Sequence, residues 1–271
     1  MRELIDAYMA ENKIKYYGVL DYADCTVTGE RIMKREDFVP RSVIVYLLPY
    51  YAGETENLSV YAASLDYHKK LGEIGEGLIK RLGERRSGIG AKSYGDHSPI
   101  DEVMAAASLG LGVLGKHTLL INPEYGSYVF IGDVITDIPP EELGAEKPSE
   151  PKRCISCGAC AKVCPSGILR GECDACLSGI TQRKGELTED EIAMMMRVGT
   201  VWGCDECQRV CPMNEGSRPT ELDYFYEDRI TRLDKEALDG MTDEELKGRA
   251  FGWRGRAVLL RNLAYLYPEE Q

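Results

Sequence analysis

The chain has 271 residues, of which 44% are hydrophobic and 29% charged, and its net charge is −12. This composition is typical of a soluble globular protein with enough chain for one large domain or two ordinary ones. There is no run of about 18 apolar residues to span a membrane, and the charged N-terminal stretch lacks the apolar region of a secretory signal. We therefore expect a cytoplasmic protein with no membrane partner, and the acidic charge disfavours nucleic acid unless basic residues gather on one face.

Residues 1–138 mix predicted strands and helices. The apolar run RSVIVYLLPYY (41–51) predicts a buried strand. Residues 57–86 have apolar positions at roughly helical spacing and predict one long helix. Another helix is predicted to begin at Pro99, ahead of two acidic residues. TLLIN and SYVFIGDVI predict two strands joined by a turn at 123–126. Interspersed elements of this kind indicate an α/β or α+β domain.

The rest of the chain divides by composition. Residues 139–153 are rich in proline and charge and predict a linker. Residues 154–216 contain nine of the ten cysteines, and residues 217–271 predict a helical tail. Cysteines crowded in this way indicate metal binding rather than disulfides in a cytoplasmic protein. The tenth, Cys25, stands alone and is expected to be a small buried residue.

The cysteines form two runs with the spacing of bacterial ferredoxins. The first is C-x2-C-x2-C-x3-C-P at 154–165, and the second is CDECQRVCP at 204–212. Such gaps let a looping backbone direct several thiolates at one cubane cluster. Two [4Fe–4S] clusters need eight thiolates, and this region offers nine. Zinc also uses C-x2-C pairs, but three evenly spaced cysteines followed by C-P are not its usual pattern.

The ferredoxin pattern also divides the ligands between the clusters, because the fourth cysteine of a run ligates the other cluster. One predicted set is Cys154, Cys157, Cys160 and Cys211. The other is Cys164, Cys204, Cys207 and either Cys173 or Cys176. Spacing alone does not choose between those last two.

The stretch SLGLGVLGKHTLL (108–120) contains both G-x-G-x-x-G and most of a phosphate-binding loop. A dinucleotide fingerprint follows a strand and opens a helix, whereas here the glycines follow a helix-like segment. A phosphate loop requires Ser or Thr directly after the lysine, and His117 occupies that position. We therefore expect neither nucleotide site. A helix that ends through glycines is one alternative.

Residues 95–137 together with the two cysteine runs resemble the tRNA epoxyqueuosine reductase family. The resemblance extends to RSVIVYLLPYY, DYH at 66–68, CLSGITQRKGEL and GWRGRAVLLRNL, so it covers nearly the whole chain. The matching positions of the central motif are Asp96, Pro99, Glu102, Gly110, Gly112, Gly115, Lys116, Gly126, Ser127 and Asp137. The resemblance implies a short form of the family, without the HEAT-like helical extension of its longer members.

The resemblance implies an α+β fold with an α/β-type cobalamin-binding domain, a ferredoxin-like domain with two [4Fe–4S] clusters, and a short helical tail. It implies that Asp96 donates a proton and that Cys176 is the eighth cluster ligand. The residues placed at the cobalamin are Gly112, Gly115, Lys116, His117 and Ser127. The two glycines would let the backbone approach the corrin ring closely. The implied reaction reduces an epoxide on a modified tRNA base, with electrons from a ferredoxin- or flavodoxin-type donor.

Alternatives remain open from the sequence. The same scaffold could reduce another small electrophile, or the chain could be a two-cluster electron carrier without catalysis. Asp96 could instead cap a helix, because DHSP precedes a predicted helix. Two basic groups are candidates for phosphate contacts or else solvated helix faces. They are Lys80, Arg81, Arg85, Arg86 and Lys92, and then Lys247, Arg249, Arg254, Arg256 and Arg261.

Overall fold

The computed structural model describes residues 1–270 and divides into two compact units. The first unit contains Met1–Tyr50 and His68–Ser156, and the second contains Tyr51–Tyr67 and the chain from Cys157 onward. The domain and linker boundaries predicted from the sequence, at residues 138, 153 and 216, stay predictions.

The first unit combines five helices with six strands. Its helices are α1 (Arg2–Glu11), α2 (Glu30–Met33), α3 (Tyr67–Arg85), α4 (Glu102–Ser108) and α5 (Pro140–Leu143). Its strands are β1 (Tyr17–Asp21), β2 (Ser42–Pro49), β3 (Ala91–Gly95), β4 (Val113–Leu114), β5 (Leu120–Ile121) and β6 (Val129–Thr136).

Four of these strands form an antiparallel sheet in the order β1-β2-β6-β3. The central strand β2 is buried along its whole length, whereas the edge strand β3 is partly exposed. One face of β2 contributes Val43, Val45 and Leu47 to a core that also contains the alanines of α4. On the other face, the Tyr46 hydroxyl donates to the Leu71 carbonyl of α3 at 2.9 Å. The mixed fold is confirmed, and the antiparallel pairing makes it α+β.

The predicted helix over 57–86 is shorter in the structure. Helix α3 begins at Tyr67, and Leu71, Ile74, Leu78 and Leu82 are buried as their spacing predicted. The segment before it is instead irregular, with one short turn at Val60–Ala62. Backbone groups of this segment bond to distant parts of the second unit, including Ser59 N–H to the Trp202 carbonyl at 2.7 Å. These long-range bonds replace the local ones that a helix would need.

The second unit is built from short helices and turns around a small core. Its helices are α6 (Ala159–Val163), α7 (Leu177–Gln182), α8 (Glu189–Val198), α9 (Glu206–Arg209), α10 (Lys235–Gly240), α11 (Asp243–Lys247) and α12 (Arg256–Leu266). Asn262 on α12 ties three parts of the unit together, because its buried amide donates to the carbonyls of Thr181 and Val201. Within residues 1–270, no helix is both long and apolar enough to cross a membrane.

Candidate functional site

The glycine-rich segment lies between α4 and the two-stranded ribbon of β4 and β5. Helix α4 ends at Ser108, Gly110 adopts a left-handed conformation with φ +72°, and β4 then pairs with β5. The segment therefore follows a helix and enters a strand. This is the reverse of a dinucleotide or phosphate-binding loop, as the sequence predicted.

Two of these glycines have a packing role within the chain. A Cβ atom on Gly112 would lie 2.7 Å from the Ile121 carbonyl oxygen, and one on Gly115 would lie 2.4 Å from the His117 ring. Any larger residue would collide at either position. Packing within the chain is therefore one reason for glycine at these two positions, and their contact with cobalamin stays a prediction.

The other predicted cofactor residues differ in exposure. Lys116 is exposed, whereas His117 and Ser127 are buried. Burial lowers the pKa of His117, so its imidazole is neutral at pH 7. Its Nε2 atom is buried without a hydrogen-bond partner. An unpartnered buried ring nitrogen beside an exposed lysine is a polar position that a bound ligand can complete.

The same loop contacts the first cysteine of the iron–sulfur motif. Residues 152–154 pair in parallel beside β4, because Leu114 N–H donates to the Lys152 carbonyl and Cys154 N–H donates to the Leu114 carbonyl. This pairing brings the Lys116 N–H to 3.3 Å from Cys154 Sγ. A hydrogen bond of this type stabilises a thiolate.

Asp96 lies in the loop between β3 and α4, in a left-handed conformation with φ +65°. Its carboxyl group is about half exposed, and its Oδ2 atom lies 3.4 Å from Nε2 of His68. It does not cap α4. That role belongs to Asp101, whose side chain accepts from the Met104 N–H. Capping of α4 is thus not the role of Asp96, and His68 is a partner that the sequence did not predict.

Beneath this loop lie two carboxyl groups that sequence reasoning did not single out for a role. Asp133 on β6 is fully buried, and Glu102 begins α4. Burial is the main cause that raises the pKa of each above its ordinary value. A signal was present in SYVFIGDVI, where one aspartate interrupts an apolar strand.

The cysteines of the second unit lie on α6, α9 and the turns beside them, and these two helices pack together. Cys160 and Cys164 are buried, and Cys204 and Cys207 are partly buried. Burial raises the pKa of the Cys204 and Cys207 thiols to about 12, with further contributions from Cys176. These three thiols are thus close enough to interact, whereas the contacts of the Cys173 thiol are with Ala175.

Cys164 has a different environment. Burial opposes ionisation of its thiol, but the N–H groups of residues 169, 167 and 166 and the Ser166 hydroxyl lower its pKa. Converging N–H donors of this kind are typical of the surroundings of cluster thiolates. Among residues 1–270, the metal-free chain has no closed group of three or more His, Cys, Asp or Glu at metal-binding distances. The donors fit two clusters by type and number, and iron would offset the high pKa of the buried thiols.

Several residues of the predicted basic groups form contacts within the chain. Arg81 pairs with Glu11 at 2.7 Å, and Arg86 pairs with Glu142 at 2.8 Å. In the other group, Arg256 donates to the carbonyls at the end of α10, and Arg261 donates to the Arg183 carbonyl at 2.6 Å. These contacts favour structural roles for the four arginines.

Comparison with known proteins identifies the family. A family model described as a 4Fe-4S double cluster binding domain matches residues 153–214. The epoxyqueuosine reductase of Pseudomonas aeruginosa is 30% identical over 92% of this chain and 73% of its own length. The chain belongs to the epoxyqueuosine reductase family. It is therefore an oxidoreductase homologue with a double-cluster domain, as the motifs predicted.

Other members of the epoxyqueuosine reductase family support the assignment and show its extent. The Listeria monocytogenes enzyme is 36% identical over 73% of this chain, which spans 53% of that relative. The structure of the Bacillus subtilis epoxyqueuosine reductase has a TM-score of 0.77 over 97% of this chain and 80% of its own, at 23% identity. A structure described as an epoxyqueuosine reductase with a modified tRNA stem loop has the same TM-score. At these identities the structures establish the fold.

Proposed function

We propose that this chain reduces epoxyqueuosine to queuosine in tRNA, using cobalamin and electrons that enter through two [4Fe–4S] clusters. Family membership supports the reaction, and the two cysteine runs support the electron path. Removal of an epoxide oxygen as water consumes two electrons and two protons, so the site must supply both. A cytoplasmic ferredoxin- or flavodoxin-type donor would deliver the electrons.

The observation that carries this proposal is the hydrogen bond between Lys116 N–H and Cys154 Sγ. It connects the loop proposed to hold cobalamin with a cysteine proposed to ligate a cluster. The bond favours the proposal because its donor belongs to the loop between β4 and β5, which lies outside the cysteine-rich region. When bound, cobalamin supplies a strongly reducing cobalt centre, and the residues here that fit it are Lys116, His117 with its unpartnered Nε2, and Ser127.

Asp96 is the proposed proton donor. Its carboxyl group is accessible from solvent, and its Oδ2 atom lies 3.4 Å from Nε2 of His68. Asp96 would supply one proton to the epoxide oxygen as its carbon–oxygen bonds break, and a second proton from solvent would complete the water that leaves. The left-handed backbone of Asp96 is a strained conformation for a residue other than glycine, and such strain is common at functional sites.

The test is anaerobic reconstitution with iron and sulfide, followed by cobalamin titration monitored by visible absorbance. The reconstituted enzyme is then supplied with a chemical reductant and an epoxyqueuosine-containing tRNA stem loop. Loss of one oxygen atom from the RNA is measured by mass spectrometry. We expect cobalamin to bind with a spectral shift and the oxygen to be lost.

Asp96→Asn and Asp101→Asn form a matched pair for this assay. Asparagine still caps a helix, so Asp101→Asn is expected to retain turnover, while Asp96→Asn lowers kcat by about a hundredfold, a typical contribution of a general acid. Full iron content without cobalamin binding would overturn the proposal in favour of an electron carrier. Cobalamin binding without oxygen loss would indicate another electrophile as substrate.

A further inference from the structure

Three carboxyl oxygens are buried close together in the first unit without a hydrogen-bond partner. They are Oε1 of Glu102 and both Oδ atoms of Asp133. Helix α4 packs against β6, and each of the two carboxyl groups acts on the pKa of the other, so the two groups lie near one another. Buried polar atoms are almost always partnered, and three unpartnered oxygens in one place indicate a missing hydrogen.

Within residues 1–270, the groups found to act on this carboxyl pair include no lysine or arginine. The groups that act on Glu102 or Asp133 come from the α4 N-terminus, the loop before it, and the neighbouring strands and turn. They are Asp96, Ser98, Asp101, Tyr22, Cys25, Tyr46 and Tyr94. All of these are acidic or neutral at pH 7. Two adjacent ionised carboxylates in such an environment would be strongly destabilising, because neither burial nor a neighbour favours the second charge.

A single proton shared by the two carboxyl groups would remove one of the two adjacent charges and supply the missing hydrogen bond. On Oε1 of Glu102, it would form a hydrogen bond to the Asp133 carboxylate, which also faces the Ser98 hydroxyl. The Glu102 carboxyl group accepts a hydrogen bond from the Asp96 N–H. The pair would then have one negative charge, and each of its groups would have a partner.

Glu102 and Asp133 are also linked to the two ends of the loop that contains Asp96. Asp133 is opposite Tyr94 in the register of β6 and β3, and Asp96 follows directly after β3. Glu102 holds the Asp96 N–H from the start of α4. A left-handed backbone at an aspartate costs about 1 kcal/mol and must be held by its surroundings.

We propose that Glu102 and Asp133 share one proton and act as positioning residues that fix the backbone of Asp96 in its left-handed conformation. The positioning role rests on the proposed function, in which Asp96 is the acid. The shared proton does not, and it is measurable without turnover.

The test uses the full reconstituted chain and three glutamate variants. Glu102→Gln keeps both hydrogen bonds because its amide can donate to Asp133 and accept from Asp96, whereas Glu102→Ala removes them. Glu73→Gln on the exposed face of α3 is the control. Infrared spectroscopy at pH 7 is expected to show a protonated carboxyl band in the wild-type chain and in Glu73→Gln that disappears in Glu102→Gln.

Activity and stability give independent results. Glu102→Gln is expected to retain kcat, while Glu102→Ala lowers kcat about tenfold through a misplaced Asp96. Since the folded pair holds a proton that the unfolded chain releases, the wild-type Tm should fall as pH rises from about 5 to 8. Glu102→Gln should remove this slope.

A wild-type infrared spectrum without that band, or a band unchanged by Glu102→Gln, would overturn the shared proton. A Gln variant as impaired as the Ala variant would overturn the positioning role. If Glu102→Ala does not fold, Asp133→Asn replaces it, and Glu102 should then keep its infrared band. Absence of turnover in every variant, with the band present, would reject the proposed function and leave the shared proton established.

Discussion

The iron content of two cysteine variants tests how the cluster ligands are assigned. The wild-type chain should bind about eight irons and eight sulfides as two cubanes. Cys176 acts on the pKa of both Cys204 and Cys207, whereas the Cys173 thiol contacts Ala175, 3.4 Å away at its backbone nitrogen. Cys176→Ala should therefore bind about four irons, because one cubane loses a ligand, and Cys173→Ala should keep about eight.

The assay is iron and sulfide analysis after anaerobic reconstitution, with electron paramagnetic resonance of the reduced protein to count the clusters. The two variants are matched, because each removes one thiol from the same turn three residues apart. Four irons in Cys173→Ala together with eight in Cys176→Ala would refute the assignment. Equal and complete loss in both would show that the turn folds only with both thiols.

Three further predictions concern stability. Asp101→Ala removes the cap of α4 and should lower the free energy of unfolding by about 1 kcal/mol. Asn262→Ala removes the Asn262 donor from the Val201 carbonyl and the shorter of two donors from the Thr181 carbonyl, and should cost about 2 kcal/mol. Burial keeps His117 neutral when folded, whereas the unfolded chain binds a proton below pH 6.5, so stability should fall as pH decreases from about 6.5; His117→Gln should flatten that decline. Denaturant unfolding at several pH values measures all three.

Each of these three stability predictions has a control variant or a result that would contradict it. Asp101→Asn preserves the cap and should match the wild-type chain. An Asn262→Ala variant of wild-type stability would show that its carbonyls find other donors. His97→Gln replaces an exposed histidine and should leave the acid limb of the stability curve unchanged; an unchanged acid limb in His117→Gln would contradict the assignment.

The sequence by itself determined features that depend on neighbours along the chain. Ligand spacing in the cysteine runs requires only local backbone geometry, so the double-cluster domain was predicted and then matched at 153–214. A continuous apolar run such as that of β2 favours burial whatever lies next to it. The predicted bounds of this strand, 41–51, lie within two residues of the observed ones. The turn between β5 and β6 was also correct, because Asn122 and Gly126 exchange backbone hydrogen bonds.

Only the tertiary structure decided features that depend on distant partners. Residues 57–66 have helical apolar spacing, but backbone hydrogen bonds to residues 201, 202 and 248 hold them in an irregular, non-helical conformation. Asp96 was a possible cap by sequence, and only the position of the α4 N-terminus showed that Asp101 fills that role. Glu102 and Asp133 are 31 positions apart. Their meeting follows from the packing of α4 on the sheet, and no local pattern encodes it.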